Sequence, residues 1–514
     1  MLPASSALLE RHAIRLTLRP AVAFREHPGR DSVVVYLSLF DDEIDLRAER
    51  FFDALRIRTP ESAARHLELT DAACGLSGDG EFWVARGGSA TVPLYWRNDG
   101  SSLAITTRLP TDETRTLSVS GLLASTAVAC MHSSYEPNGF TQTPLAGWHR
   151  VRRAAFMRFR DHGQQAETPI AVTNEHDQVP DRAQVCREIA TAFQAYGESQ
   201  RQVRISLLEV SGGIDSTLAA TALPAHDMYG VSVAFPYYEF RFEADVQQSV
   251  ADTLGISRDE IDGTDLFPYS DPDAPLVLDE PTVFATGMRH STVVARRAAA
   301  LGAQRIYMGH GGDQCFASDL TVPEPLVSNP PSRGPFSRRS WRVVAQAIRS
   351  IRVSSYTHRA LGTFVYDARQ DIWVKELFGP VIRTPFTDLA IFRSAQSWSR
   401  HCRARGVRPD KSILAEALPG LLPDAVLNRK GKVAYDGIWM RAYSAQEARL
   451  CSVFERSAAV LEHVGISPGW LIARTSALAA WHECSDREVL AAYALCVWLQ
   501  AQGIFGPGDV RWGP

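Results

Sequence analysis

Short apolar or alternating runs, separated by glycine, proline and asparagine, fill the chain up to about residue 165. Alternation with a period of two is typical of half-buried β-strands, and such runs lie at 31–40, 81–88, 91–109 and 154–163. The run at 91–109 is interrupted by RNDGSS (Arg97–Ser102), whose Asn-Asp-Gly core favours a hairpin turn. We therefore predict a β-rich first domain over residues 1–165.

The pattern changes after a polar segment at 166–182, which has the composition of a linker. From residue 183 onward, amphipathic helical patterns alternate with apolar runs that are typical of buried parallel strands. These apolar runs lie at 203–210, 228–236 and 304–310. Beyond Arg339 the pattern is mainly helical. The succession predicts an α/β second domain over 183–514, with a parallel sheet covered by helices on both faces.

The sequence LLEVSGGIDSTLAA (Leu207–Ala220) places two glycines between a predicted strand and a predicted helix. Such a turn exposes backbone N–H groups at the positive end of a helix, an arrangement that binds anions and above all phosphate. Gly212 and Gly213 leave room for a phosphate to approach the backbone. Ser211 and Ser216 add hydroxyl donors, so the turn is a candidate phosphate site.

A second glycine-rich turn follows the predicted strand at 304–310. It carries, in this order, Gly309, His310, Gly311, Gly312 and Asp313. Both turns are expected at the carboxyl edge of one parallel sheet, where ligands bind. Asp215 in the first turn would repel a bare phosphate, which indicates a Mg²⁺ ion between the two, and Asp313 would complete the metal site. The alternative is an ordinary pair of strand–helix connections with convenient glycines.

Composition narrows the classes of function. The chain has 514 residues and a net charge of −4, so nothing favours bulk nucleic-acid binding. It contains no apolar run of ~18 residues, so no membrane span is expected, and its N-terminus lacks the pattern of a secretory signal. Its eight cysteines are scattered without a C-x-x-C pair, which favours reduced thiols and a cytoplasmic protein.

These motifs resemble the asparagine synthetase superfamily in their order and rough spacing. The S-G-G-x-D-S spacing of the first turn resembles the pyrophosphatase-type loop, which holds the pyrophosphate end of ATP in enzymes that adenylate a substrate. Further matching segments are DEP (279–281), GHGGDQCF (309–316), TPFTDL (384–389) and LLPDAVLNRKGK (421–432). The resemblance implies an N-terminal hydrolase-like (Ntn-type) β-sandwich, a C-terminal α/β synthetase domain, and the use of ATP and Mg²⁺.

The first domain departs from the glutamine-dependent members of the superfamily. The segment 83–96 resembles their N-terminal domain, but those members carry a nucleophilic cysteine directly after the initiator methionine. Here Leu2 stands at that position, and the first cysteine is Cys74. We therefore expect that glutamine is not the nitrogen donor and that the first domain is a structural remnant.

The closest resemblance is to the lasso-peptide macrolactam synthetases, with β-lactam synthetases also similar. Ordinary synthetases have glutamate at the position of His310, where a neutral imidazole could accept a proton from an amine nucleophile. The alternative is a histidine that only packs beside the loop. The stretch NRKGKVAYDG (428–437) resembles the family's lysine loop, which implies that Lys432, or else Lys430, balances charge on the adenylate and pyrophosphate. The alternative there is a solvated basic loop.

The resemblance also implies a set of nucleotide-binding residues. Pyrophosphate and metal are expected at Ser211, Gly212, Gly213, Asp215, Ser216, Gly309, Gly311, Gly312 and Asp313. Val210 and Val233, near the carboxyl ends of their strands, are candidates for contact with adenine, with core packing as the alternative. Glu280 either orients polar groups near the nucleotide or forms a structural salt bridge.

The resemblance implies an AMP-forming ligase that adenylates an Asp or Glu side chain of a precursor peptide and closes a macrolactam with the peptide's N-terminal amine. Expected partners are that peptide and a leader peptidase and leader-binding protein of the same pathway, with no nucleic acid and no membrane. One alternative is a β-lactam or carbapenam-type synthetase that acts on a small amino acid. A second is a non-catalytic scaffold that keeps the fold.

Overall fold

The structure is a computed structural model that describes most of the chain. The described residues are 9, 13–28, 32–41, 43–88, 91–111, 116–131, 141–160, 164–170, 179–221, 223, 227–235, 241–276, 278–317, 334–350, 368–429, 436–481 and 486–513. Within these ranges a β-rich first part is followed by an α/β second part, so the predicted fold class is confirmed.

Two sheets form the first part of the chain. Its strands are β1 (Ile14–Thr17), β2 (Ala23–Pro28), β3 (Val33–Ser38), β4 (Ala72–Leu76), β5 (Phe82–Arg86), β6 (Tyr95–Asn98), β7 (Leu103–Thr106), β8 (Thr116–Ser118), β9 (His149–Arg150), β10 (Ala155–Arg160) and β11 (Gln164–Pro169). One sheet has the order β1-β7-β6-β9, and the other has the order β11-β10-β5-β4-β3-β2. β6 and β7 pair as the hairpin that the RNDGSS segment predicts, and β11 extends the larger sheet into the segment expected to be a linker.

Apolar side chains from both sheets meet in one core, which gives the first part its sandwich architecture. Ile105 of β7 is buried there together with Val35 and Leu37 of β3. Tyr36, between those two β3 residues, points to the opposite face and packs on helix α1 (Ile44–Ile57). The alternation follows from the two-residue period of a strand, and it leaves both faces of the larger sheet covered.

The second part is built on a five-stranded sheet in which all neighbours are parallel. Its strands are β12 (Ile205–Glu209), β13 (Asp227–Ala234), β14 (Arg258–Asp262), β15 (Arg305–Tyr307) and β16 (Val381–Arg383). Their spatial order is β14-β13-β12-β15-β16, so the direction of strand succession reverses between β12 and β15. A reversal of this kind leaves a crevice at the carboxyl ends of the two strands, which is the usual ligand position in open α/β sheets.

Helices are the other main elements of the described chain. The described helices after α1 are α2 (Pro60–Ala63), α3 (Val119–Met131), α4 (Arg182–Ser199), α5 (Ile214–Thr221), α6 (Arg241–Leu254), α7 (Met288–Ala300), α8 (Gly312–Phe316), α9 (Arg338–Ser350), α10 (Ala368–Phe378), α11 (Leu389–Ala404), α12 (Ser412–Ala417), α13 (Asp424–Leu427), α14 (Asp436–Arg456), α15 (Ala458–His463), α16 (Pro468–Trp481) and α17 (Arg487–Ala501). A last strand, β17 (Arg511–Gly513), pairs with β8 of the first part. The C-terminal end of the described chain is thereby joined to the first part through a small parallel pair.

Two strands of the parallel sheet were not predicted from the sequence. β14 has the sequence RDEID, and its polar side chains at a sheet edge hide the apolar signal on which strand prediction depends. β16 is the opposite edge and has only three residues, so it is too short to show a period. The three central strands, which carry the apolar runs, were predicted.

Buried ion pairs join the two parts of the chain. Glu43, immediately before α1, contacts Arg47 of α1 and also Arg383 of β16, whose guanidinium lies 3.4 Å from the carboxylate. Arg305 of β15 lies 3.8 Å from the same carboxylate. Although burial alone would raise the pKa of Glu43, these guanidinium groups lower it to about 2. The carboxylate is therefore ionised, and it holds the first part against the edge of the parallel sheet.

A second carboxyl group at this junction behaves in the opposite way. Burial and the nearby charge of Asp388 raise the pKa of Glu68 to about 7, although Arg47 opposes the shift. The folded-state pKa lies above the ordinary value of 4.5, so ionisation of Glu68 lowers the free energy of unfolding as the pH rises between these two values. Below this window Glu68 is protonated in both the folded and the unfolded state, so its titration does not change the free energy of unfolding.

We predict that Glu68→Gln raises the midpoint of urea unfolding at about pH 8 and leaves it nearly unchanged at about pH 5, since glutamine mimics the neutral acid. The exposed Glu455 provides the control, because Glu455→Gln should change the midpoint equally at both pH values. A Glu68→Gln protein whose midpoint shifts equally at both pH values would contradict the raised pKa.

Candidate active site

The two glycine-rich turns follow β12 and β15, the strands between which the sheet order reverses. They approach so closely that a side chain would not fit at two positions. A Cβ atom on Gly309 would lie 2.3 Å from the backbone nitrogen of Ser216, and one on Gly312 would lie 2.2 Å from the carboxylate carbon of Asp215. Real Cβ contacts are longer than this, so glycine is necessary at both positions for the turns to meet.

Hydrogen bonds within the first turn fix its shape. The Ser211 and Ser216 hydroxyls lie 2.8 Å apart, and Ser216 Oγ also donates to the carbonyl of Gly213 at 3.2 Å. Gly212 has φ +67° in the left-handed region, which favours glycine. The turn ends at the N-terminus of α5, so its backbone N–H groups are suited to a phosphate. In the second turn Gly311 has φ +99° and precedes α8 in the same way.

Lys411 lies between the aspartates of the two turns. Its ammonium is 2.6 Å from Asp215 Oδ2 and 2.6 Å from Asp313 Oδ1, and it comes directly before α12. Although burial alone would lower the pKa of Lys411, attraction to Asp215 and hydrogen bonds to both carboxylates raise it above its ordinary value. The lysine is therefore a cation that shares its charge between the two turns.

The two carboxylates form a donor set that fits Mg²⁺. Both reach the same ammonium, so both converge on one point of positive charge, and oxygen is the ligand atom that Mg²⁺ prefers. Among the described residues, no cluster of three or more His, Cys, Asp or Glu side chains could hold a metal. A magnesium ion held by one or two carboxylates takes its other ligands from water and from substrate phosphates.

Arg429 places the end of a basic segment at the first turn. Its guanidinium donates to the carbonyl of Gly212 at 3.0 Å and also pairs with Glu243 of α6. Lys430 and Lys432, the lysines for which a charge-balancing role is predicted, lie outside the described residues. Arg429 directly precedes them, so the segment that carries both lysines starts beside the predicted phosphate turn.

A cavity of about 900 Å³ opens from the two turns. Its lining includes every predicted nucleotide-binding and metal residue except Gly312, which packs behind it against Asp215. Val210, directly after β12, and Val233 of the neighbouring strand β13 line it, and Phe235 and Leu266 add apolar surface. The cavity therefore has an apolar side suited to a purine and a charged side suited to phosphates.

The cavity also has a side lined by histidine. His310 of the second turn lines it, and the backbone carbonyl of His310 accepts a hydrogen bond of 2.6 Å from Thr384 Oγ1. His290, in the first turn of α7, lines it as well, and its Nε2 is 2.8 Å from Glu209 Oε1 at the end of β12. Sequence reasoning identified His310 but neither member of this second pair.

Glu280 lies outside the cavity lining. Its buried carboxylate pairs with Arg150 of the first part and with Arg369 of α10 at 3.2 Å, and it accepts a hydrogen bond of 3.1 Å from the hydroxyl of Tyr95. The contacts with Arg150 and Tyr95 cross between the two parts of the chain, whereas Arg369 belongs to the second part. They favour the structural salt bridge over the nucleotide role among the two alternatives for Glu280.

Cys74 has no access to a substrate. It lies in β4 inside the sandwich core, and burial raises the pKa of its thiol to about 12. A thiol of this kind is protonated at neutral pH and is a poor nucleophile. Leu2, on which the expectation about glutamine also rests, lies outside the described residues.

Comparison with known protein families gives the site its context. Residues 201–502 match the family model described as asparagine synthase, and this match spans more than half of the chain, both turns and Lys411. The chain belongs to the asparagine synthase family. Membership makes the protein, in general terms, an ATP-dependent amide ligase. No match was found among curated proteins, and no helix in the described part of the chain is long and apolar enough to span a membrane.

Lys411 and Arg429 are further residues of this candidate site that sequence reasoning missed, besides Glu209 and His290. Lys411 stands in RPDKSIL without a glycine-rich or repeated motif, and 196 positions separate it from Asp215. One signal was present in the composition, since the chain has only four lysines among 54 basic residues. Three of these four lysines stand at 411, 430 and 432 in the sequence, and the fourth is Lys375.

We predict that Asp215→Asn and Asp313→Asn each abolish substrate-dependent ATP consumption without unfolding the chain, because each removes a carboxylate that fits Mg²⁺. Asp252→Asn, at an exposed position on α6, is the matched control and should retain activity. Circular dichroism checks folding in each variant. Normal ATP consumption in either site variant would contradict the proposed metal position.

Lys411→Met should lower kcat for ATP consumption by about 10²-fold or more, the usual order for loss of one group that stabilises developing charge. Lys375→Met is the control, because Lys375 is partly buried but contacts Leu39 and Asp41 in the first part of the chain. If kcat falls equally in the two variants, Lys411 contributes only to the stability of the folded protein and not to the reaction.

Proposed function

We propose that the protein is a Mg²⁺-dependent, AMP-forming ligase that joins a side-chain carboxylate of a peptide to the N-terminal amine of the same peptide. The observation that supports this best is the continuity of one cavity from the phosphate turns to His310. Adenylation and acyl transfer could then occur at one place, because both glycine-rich turns and His310 border the same cavity. The first alternative, a small amino acid as substrate, shares this chemistry.

In the first step a carboxylate oxygen attacks the α-phosphorus of ATP. A new O–P bond forms, the bond between the α-phosphorus and the bridging oxygen breaks, and pyrophosphate leaves with the electron pair. Ser211, Ser216 and the backbone of the first turn would bind pyrophosphate. Lys411 would stabilise the negative charge that develops on the phosphates. Bound Mg²⁺, held by Asp215 and Asp313, would add further positive charge there.

In the second step the amine nitrogen attacks the acyl carbon. An N–C bond forms, the C–O bond to the phosphate breaks, and AMP leaves with the electron pair. An N-terminal amine has a pKa near ~8, so it is largely protonated at neutral pH and must lose protons to become an amide. His310 would accept a proton from the attacking nitrogen, and Lys432 or Lys430 would balance charge on the departing AMP.

The contacts among the residues of the two turns argue against a non-catalytic scaffold that only keeps the fold. Both aspartates, Lys411 and both close-packed glycines remain in contact, an arrangement that a structural role alone does not require. The buried, protonated thiol of Cys74 agrees with a donor other than glutamine. The peptide, a leader peptidase and a leader-binding protein of the same pathway are the proposed partners.

Product mass tests the proposal directly. Synthetic peptides with a free N-terminal amine and one Asp or Glu at successive positions are incubated with ATP and Mg²⁺. We expect AMP, pyrophosphate and a product lighter than its peptide by one water, with a bond between the side-chain carboxyl and the N-terminal nitrogen in the fragmentation spectrum. N-acetylated peptides are the controls and should stay linear. A linear product with Asn or Gln in place of the acid would support an ammonia-using synthetase instead.

His310→Ala should separate the two steps. We expect peptide-dependent exchange of pyrophosphate into ATP to persist, while ring closure slows by roughly 10²-fold or more because the proton acceptor is lost. His463→Ala, at an exposed position on α15, is the control. Loss of exchange in His310→Ala would place this histidine in the nucleotide site.

A further inference from the structure

Glu209 is a carboxylate that the two steps above do not use. It ends β12, two residues before Ser211, and its side chain lines the cavity with 22% of its surface exposed. Its Oε1 is paired with His290 Nε2 at 2.8 Å. Its Oε2 is buried and finds no hydrogen-bond partner within the described part of the chain. A buried polar atom without a partner is rare in native proteins, so this one needs an explanation.

The surroundings of Glu209 keep it ionised. Although burial alone would raise the pKa of Glu209, the charge and hydrogen bond of His290 and the charge of His310 lower it below its ordinary value. The pKa of His290 is raised in turn, because attraction to Glu209 outweighs burial. An ionised carboxylate only accepts hydrogen bonds, so the group that completes this site must carry N–H or O–H donors.

The position of Glu209 favours a cationic donor. It lies at the same strand end as the phosphate turn, and a carboxylate there repels phosphates and attracts positive charge. Rotation about the terminal bond of a glutamate side chain is soft, so a small turn of the carboxylate can present Oε2 to an entering donor while Oε1 stays beside His290. A primary ammonium brings three N–H donors, and His310 is close enough to influence the Glu209 charge.

We propose that Glu209 binds the attacking amine of the substrate through its carboxylate, while His290 is a positioning residue that holds this carboxylate at the edge of the cavity. This inference rests on the proposed amine-to-adenylate step. It assigns the part of the cavity beside α7 to the amine. It also gives a reason for selecting a primary amine, since an acetylated nitrogen has lost its charge and two of its donors.

A titration of the free chain tests the subsite without any turnover. Methylammonium is the probe, and the ¹⁵N resonances of the His290 ring are the readout. We expect a saturable shift in the wild-type protein and in Glu209→Asp, and no saturable shift in Glu209→Gln. The control Glu260→Gln, at an exposed edge position on β14, should behave as the wild type does. Absence of a saturable wild-type shift would overturn the proposal.

A second measurement separates amine binding from nucleotide binding. With adenylated peptide formed in place, Glu209→Gln should raise KM for methylammonium trapping by about 10-fold, the effect of ~1.4 kcal/mol. Trapping by hydroxylamine, which is uncharged at neutral pH, and pyrophosphate exchange should be unchanged. His290→Gln should show the same pattern more weakly.

Other outcomes would contradict either the amine role or the proposed function, in distinct ways. A raised KM for ATP would mean that Glu209 binds ribose or adenine. Equal losses with methylammonium and hydroxylamine would mean that the Glu209–His290 pair is structural. If no peptide supports exchange while the His290 resonance still responds to methylammonium, the proposed function fails and the amine subsite stands.

Discussion

The contact of one ammonium with two carboxylates is the interaction on which this site depends. Two aspartates at the carboxyl edge of one sheet repel each other, and their turns would separate without a cation between them. Lys411 supplies that cation at 2.6 Å from each carboxylate. The glycines at 309 and 312 allow the approach, because any side chain there would collide with the opposite turn. The charge of Lys411 and the absence of side chains at Gly309 and Gly312 therefore act together to bring the two turns into contact.

Topology determines which ligand groups reach that point. The sheet order reverses between β12 and β15, so the turns that follow these strands border one crevice. The apolar ends of β12 and β13 provide a purine side, and the start of α7 brings His290 against the end of β12. A buried contact between the two parts of the chain, Arg150 with Glu280, fixes the segment that leads into α7. The first part thus supports the site from outside the cavity.

Sequence reasoning reached the fold class and the two turns, because apolar runs and glycine-rich strand ends are local signals. It did not reach Lys411 or the Glu209–His290 pair, since those contacts join residues that are distant in the chain and stand in no motif. The edge strands β14 and β16 were missed for a related reason, as one is polar and the other very short. A near absence of lysine elsewhere was the one compositional sign of Lys411. The charge-balancing role of Lys430 or Lys432 stays a prediction, because both residues lie outside the described part of the chain.

The central claim is that a carboxylate displaces pyrophosphate at the α-phosphorus of ATP in this crevice. A peptide whose Asp or Glu carboxyl is labelled with ¹⁸O tests it most directly, with mass spectrometry of the nucleotide and phosphate products. The account predicts one ¹⁸O atom in the phosphate of AMP, because the oxygen that joined the α-phosphorus leaves with it when the amide forms. Label in inorganic phosphate, accompanied by ADP, would contradict the account, since it would place the attack on the γ-phosphorus.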